Sequence, residues 1–66
     1  MIKLTNATEK FLNQPFLINP KQILTVFVAP TEDGKGITTY VYAENKETWV
    51  VKESIDEIYE LIKASR

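Results

Sequence analysis

Ile37-Thr38-Thr39-Tyr40-Val41-Tyr42-Ala43, Glu44-Asn45-Lys46-Glu47, Thr48-Trp49-Val50-Val51-Lys52 and Glu53-Ser54-Ile55-Asp56-Glu57-Ile58-Tyr59-Glu60-Leu61-Ile62 follow one another without a break. The first and third runs are rich in Thr, Tyr, Val and Trp, side chains that fit a pleated, half-buried surface, and both read as strands. A two-residue turn at Asn45-Lys46 sets Ala43 opposite Thr48, Tyr42 opposite Trp49 and Val41 opposite Val50. Ser54 followed three residues later by Glu57 is the spacing of a capping box, so a helix starts there. Ile55, Ile58, Tyr59 and Ile62 recur at i, i+3, i+4 and i+7, one face of that helix, while Asp56, Glu57 and Glu60 face away. The expected helix runs from Ile55 to about Ala64, docked through those four residues. Glu53, Asp56 and Glu57 stand at its N-terminal end and Lys63 and Arg66 at its C-terminal end, the order its dipole favours. A helix this short is marginal alone in water, so its apolar side must rest on the sheet.

Working upstream, residues 22–29 carry the longest strand signal of the first half, with Leu24, Val26 and Val28 on one face and Ile23, Thr25, Phe27 and Ala29 on the other. Asp33-Gly34 beyond Pro30 is a hairpin signal, because a type I′ turn needs positive φ at both central residues. That turn places Val28 opposite Thr39, Val26 opposite Val41 and Leu24 opposite Ala43. Met1 to Thr5 alternates as a first strand. Residues 6–10 are polar and turn-prone, and Phe11-Leu12-Asn13-Gln14 before Pro15 reads equally as a short strand or an irregular loop. Phe16-Leu17-Ile18 is a brief strand closed by the Asn19-Pro20 corner.

Two hairpins in series give a three-stranded meander with two apolar faces. Leu24, Val26, Val28, Val41, Ala43 and Val50 are expected on one, and Ile23, Phe27, Tyr40, Tyr42, Trp49 and Val51 on the other. The helix covers one face; Ile2, Leu4, Phe11, Leu12, Phe16 and Leu17 can fold over part of the other. The expected fold is therefore α+β, an antiparallel meander or small half-open barrel of four to five strands with one C-terminal helix, in a single domain spanning residues 1–66.

Composition bounds the chemistry. The chain has 66 residues with no Cys and no His. It therefore lacks the soft and borderline metal ligands and the side chains that most often act as nucleophile or general base near neutral pH. The Gly34-Lys35-Gly36 loop lacks the Walker spacing and is flanked by Glu32 and Asp33, which would repel a phosphate. Glu53, Asp56, Glu57 and Glu60 read as capping and solvated carboxylates rather than a metal or acid/base cluster. No catalytic, cofactor-binding or metal residue is expected, and no small-molecule substrate. Eight Lys and Arg against nine Asp and Glu leave a net charge of −1, with no field to draw the chain to nucleic acid or anionic lipid. No stretch has signal-peptide character or membrane-spanning length, and a cytoplasmic location is expected.

Phe27, Tyr40, Tyr42 and Trp49 read first as core. In so small a chain part of such a cluster stays exposed, which makes these four the candidate interaction residues, because aromatic clusters anchor protein interfaces. The expected partner is another protein or a second copy, most simply in a twofold dimer. Base stacking on the same rings makes a single-stranded nucleic-acid-binding small β-barrel the alternative, disfavoured because the lysines are scattered.

Met1-Ile2-Lys3-Leu4-Thr5, Leu17-Ile18-Asn19-Pro20 with Ile23, and Val50-Val51-Lys52-Glu53-Ser54-Ile55-Asp56-Glu57-Ile58 with Ile62 together resemble the small FlbD-type flagellar and swarming-motility proteins. The resemblance also extends to small uncharacterised phage proteins. It covers both ends and one middle corner, while residues 6–16 and the Asp33-Gly34 hairpin are longer than the family's pattern. It implies a small cytoplasmic, non-enzymatic protein, a regulatory or interaction module associated with bacterial motility or serving as a phage accessory.

Overall fold

Alternation of Ile2 and Leu4 with Lys3 and Thr5 does produce the first strand. The computed structural model describes residues 1–65; Arg66, counted above among the helix's C-terminal charges, lies outside them. The elements are β1 (Ile2–Thr5), a 3₁₀ turn at Glu9–Phe11, β2 (Pro15–Ile18), a second 3₁₀ turn at Pro20–Gln22, β3 (Ile23–Pro30), β4 (Ile37–Ala43), β5 (Thr48–Val51) and α1 (Ile55–Ala64). The fold is α+β, with a two-stranded antiparallel sheet β1-β2, a three-stranded antiparallel sheet β3-β4-β5, and the C-terminal helix.

In the N-terminal hairpin Ile2 faces Ile18 and Leu4 faces Phe16, which turns those four to one side and leaves Lys3 and Leu17 on the other. Residues 6–14 form no strand. The Asn6 N–H donates to the Gln14 carbonyl at 2.9 Å and the Asn13 N–H to the Asn6 carbonyl at 3.0 Å. Asn13 closes this loop at φ 67°, a left-handed conformation that Asn tolerates better than most residues. Past its hairpin, β1 continues onto β5. Lys52 N–H donates to Thr5 O at 3.0 Å, Ala7 N–H to Val50 O at 2.9 Å, and Asn6 bridges Val51 between them. The end of β1 and the two residues that follow it are thereby joined to the edge of β5.

Ile2, Leu4, Ile18, Val41, Ala43, Val51 and Ile58 form the buried core, with Phe16, Ile23, Val26, Trp49 and Ile62 packed against it. The capping box is formed: Glu57 N–H donates to Ser54 Oγ at 3.1 Å and Ser54 N–H to Glu57 Oε1 at 3.4 Å. The helix docks on a narrower stripe than its periodicity implies. Ile58 is 1% exposed and Ile62 is half-buried, but Ile55 and Tyr59 are exposed, Tyr59 at 61%. With Ile58 innermost, a rotation of about 100° per residue carries Tyr59 round to the flank, whereas Ile62 returns to within about 40° of Ile58.

A bulge in β3 and a longer turn before β5 change two of the expected pairings. Val28 faces Thr39 and Val26 faces Val41 as expected, but a bulge between Ile23 and Thr25 makes Leu24 the extra residue, and Ile23 faces Ala43 in its place. The Asp33-Gly34 tip is not a type I′ turn: Gly34 has φ 71°, Asp33 does not. Gly34 N–H donates to Thr31 O at 2.9 Å inside a loop closed by Thr31 N–H donating to Gly36 O at 3.0 Å.

Between β4 and β5 the loop has three residues, not two. Lys46 N–H donates to Ala43 O at 3.0 Å and Ala43 N–H to Glu47 O at 3.1 Å, with Lys46 at φ 66°. This is a type I turn completed by a left-handed residue. Val41 therefore faces Trp49, Tyr40 faces Val50 and Tyr42 faces Thr48. A one-residue slip exchanges the faces of β5: Trp49 and Val51 join the core side, and Val50 moves to the outer side.

Candidate functional site

The corrected registers define the outer face of the three-stranded sheet. Phe27, Tyr40 and Val50 form a row across β3, β4 and β5, and Tyr42 lies two residues along β4 between Thr25 and Thr48. Phe27 and Tyr40 are stacked, with ring centroids 5.1 Å apart and planes inclined by 12°. Phe27 is 42% exposed, and Tyr40, Tyr42 and Val50 are half-buried. None of these four reaches the core, which draws only on the opposite face of this sheet. No charged residue interrupts the row, and the threonines beside it are the polar border.

Trp49, the fourth candidate, is on the other side. It stacks on Phe16 with centroids 5.9 Å apart and planes inclined by 23°, and it packs against the core. The aromatic cluster expected from the sequence is therefore split into Phe27, Tyr40 and Tyr42 outside and Trp49 inside. Trp49 still borders solvent, on a cleft of about 480 Å³ lined by Asn6, Thr8, Lys10, Phe11, Phe16 and Thr48. Lys10 Nζ stands 5.6 Å from the Phe11 ring centroid at its rim. The pairing of Phe16 with Trp49 depends on the parity of the β4–β5 loop, which no pattern local to either residue reports.

The two polar features weighed from the sequence are occupied internally. At the hairpin tip, Lys35 N–H donates to Asp33 Oδ1 at 3.0 Å, Gly36 N–H donates to Thr31 Oγ1 at 3.2 Å, and the Thr31 hydroxyl donates to Asp33. The Thr31 hydroxyl, then the Lys35 N–H, hold the Asp33 carboxyl below its ordinary value. With its amides engaged in this way the loop is a poor cradle for an anion. On the helix, Glu57 serves the cap, Glu60 lies 3.7 Å from Lys63 Nζ, and Glu53 binds Thr5. Among the described residues no three acidic side chains converge as a metal site would require. No helix among them is long and apolar enough to cross a membrane.

Comparison of the chain with protein-family models, with curated proteins and with solved structures finds no match.

Proposed function

We propose that this protein is a non-enzymatic interaction module that works through the outer aromatic face, with Phe27, Tyr40 and Tyr42 as its contact residues. The observation that carries the reading is the Phe27–Tyr40 stack, two large rings ordered against each other on a sheet face that no other element brings into the core. Rings already held in place lose little freedom on binding, which is the property of an interface anchor. The FlbD-type resemblance supports a cytoplasmic regulatory role beside bacterial motility or in a phage, exerted by protein contact. Affinity capture with the unaltered chain and with Tyr42→Ser tests the contact. The variant is expected to keep its melting temperature and lose a captured partner, with affinity weakened about 30-fold if Tyr42 is an anchor of about 2 kcal/mol. Equal capture by both chains would remove the outer face from the interaction.

One observation favours the nucleic-acid reading: the Trp49 cleft sets two aromatic rings, Phe11 and Phe16, beside Trp49 and Lys10. Lys10 is the one cation in that lining, whereas a groove that tracks a strand needs a cation for each phosphate it neutralises. The protein-contact reading is therefore preferred.

A further inference from the structure

Antiparallel pairing determines where the backbone groups of β3 point. Thr31 N–H donates to Gly36 O, so that pair is hydrogen-bonded. Because such pairs alternate, Ala29–Thr38, Phe27–Tyr40 and Thr25–Tyr42 are hydrogen-bonded too. The N–H and C=O groups of Val26 and Val28 therefore point away from β4, toward the open edge, since β3 is the outermost strand of its sheet. Among the described residues no other element donates to them or accepts from them. Open edges are ordinarily guarded by charge, proline or bulges. Here the bulge at Leu24 guards one end and Pro30 the other, while residues 22–31 carry no charge at all. The other outer strand, β2, is four residues long and begins with Pro15.

We infer that β3 is the seam of a twofold dimer, in which it pairs antiparallel with β3 of a second copy about an axis at Phe27. The inference rests on the reading of this chain as an interaction module and names one partner, itself. In this register Val26 exchanges both backbone hydrogen bonds with Val28 of the second copy, and symmetry repeats the exchange. Moving the axis to Val28 would set Pro30, which has no N–H, against Val26; moving it to Val26 would set the bulged Leu24 against Val28. The ends of the seam are complementary in charge. Lys21 precedes β3, and Glu32 and Asp33 follow it, with Lys35 further round the loop, so antiparallel pairing brings each lysine toward the acidic pair of the other copy. The two Phe27–Tyr40 stacks then become neighbours, and the outer aromatic face continues across both copies, open to a further partner.

Light scattering over a range of concentrations, with single-cysteine cross-linking, tests this. The unaltered chain is expected to have the mass of two copies. Val28→Pro, which removes one outward N–H and no bond to β4, is expected to halve that mass with an unchanged far-UV spectrum, and Tyr42→Glu to leave it at two copies. Phe27→Cys should cross-link at least about tenfold faster than Thr25→Cys, because the two copies of position 25 stand four residues out of register, about 13 Å apart and beyond disulfide reach. The cross-linking ratio decides if Val28→Pro proves unstable. A monomer at millimolar concentration, a dimer that survives Val28→Pro, or equal cross-linking at the two positions would overturn the seam. Dissociation by Tyr42→Glu alone would overturn it while leaving the aromatic-face function standing. Loss of that function shows separately, as equal capture by the Tyr42→Ser chain.

Discussion

The Glu53 carboxylate holds Thr5 twice, accepting from its backbone N–H through Oε1 and from its hydroxyl through Oε2, each at 2.9 Å. Both residues are half-buried, so neither bond competes with bulk water on all sides. The contact ties the end of β1 to the residue before the helix cap. Glu53→Ala is expected to cost about 1.5 kcal/mol, the range of hydrogen bonds to a charged acceptor. Thr5→Val, which keeps the N–H bond, should cost less. Urea unfolding of the two variants measures the difference, and equal losses would mean that the hydroxyl carries the whole contact.

The helix face is graded rather than uniform. Ile58→Ala removes a fully buried side chain and is expected to cost about 2–5 kcal/mol, while Ile58→Asp should leave the domain unfolded by burying an unpaired charge. Tyr59→Ser, on the exposed flank, should stay within about 0.5 kcal/mol of the parent. Thermal melts followed at 222 nm separate these outcomes, and a Tyr59 variant as damaged as Ile58→Ala would contradict the docking geometry.

Lys46 holds φ 66° in the β4–β5 loop, where a Cβ is disfavoured by about 1–2 kcal/mol. Lys46→Gly is therefore expected to stabilise the fold by up to about 1 kcal/mol, reduced by the greater freedom glycine gives the unfolded chain. A lower melting midpoint in that variant would place the strain elsewhere.

Asp33 offers a local pH response. Its folded-state value is lowered by the Thr31 hydroxyl and the Lys35 N–H. The ordering it provides at the hairpin tip is therefore present above its unfolded value and lost as pH falls through the lowered one. The Lys35 amide resonance should follow that carboxylate in an NMR titration. A Lys35 shift that tracks a midpoint above the ordinary carboxyl value would contradict the hydrogen bonds at the tip.

Single-stranded oligonucleotide binding should be weak and nearly flat between low and moderate salt. A strand bound along a groove releases counterions and tightens steeply as salt falls. Steep tightening, abolished by Trp49→Ala, would move the working surface to the Trp49 cleft.

Strand alternation in Ile2–Thr5, the Ser54–Glu57 cap and the helical spacing through Ile58 and Ile62 are local signals, and each is read from a few adjacent residues. The faces of β5 are not of that kind. They depend on whether the β4–β5 loop holds two residues or three, and Asn45-Lys46 suits a two-residue turn only if both adopt positive φ, which Lys46 alone does. That single loop residue decides whether Trp49 meets Phe16 or the outer face. Leu24 escaped in the same way, since a bulge is set by how β3 accommodates its neighbour and not by composition. The outer row of Phe27, Tyr40 and Tyr42 was legible because the β3–β4 register survived the change of turn type.

Joining β5 to β1 also sets the order in which a nascent chain can complete its core. Thr5 accepts its backbone hydrogen bond from Lys52, so β1 and its hairpin partner β2 are synthesised long before the strand that holds the end of β1. Until the chain has been made past residue 52, Ile2, Leu4 and Ile18 have no β5 and no helix to pack against. Such an unfinished hairpin is the kind of apolar surface that chaperones hold and that aggregates recruit. Closing so long a loop late also weights folding toward non-local contacts, which slows it relative to a helical bundle of the same size.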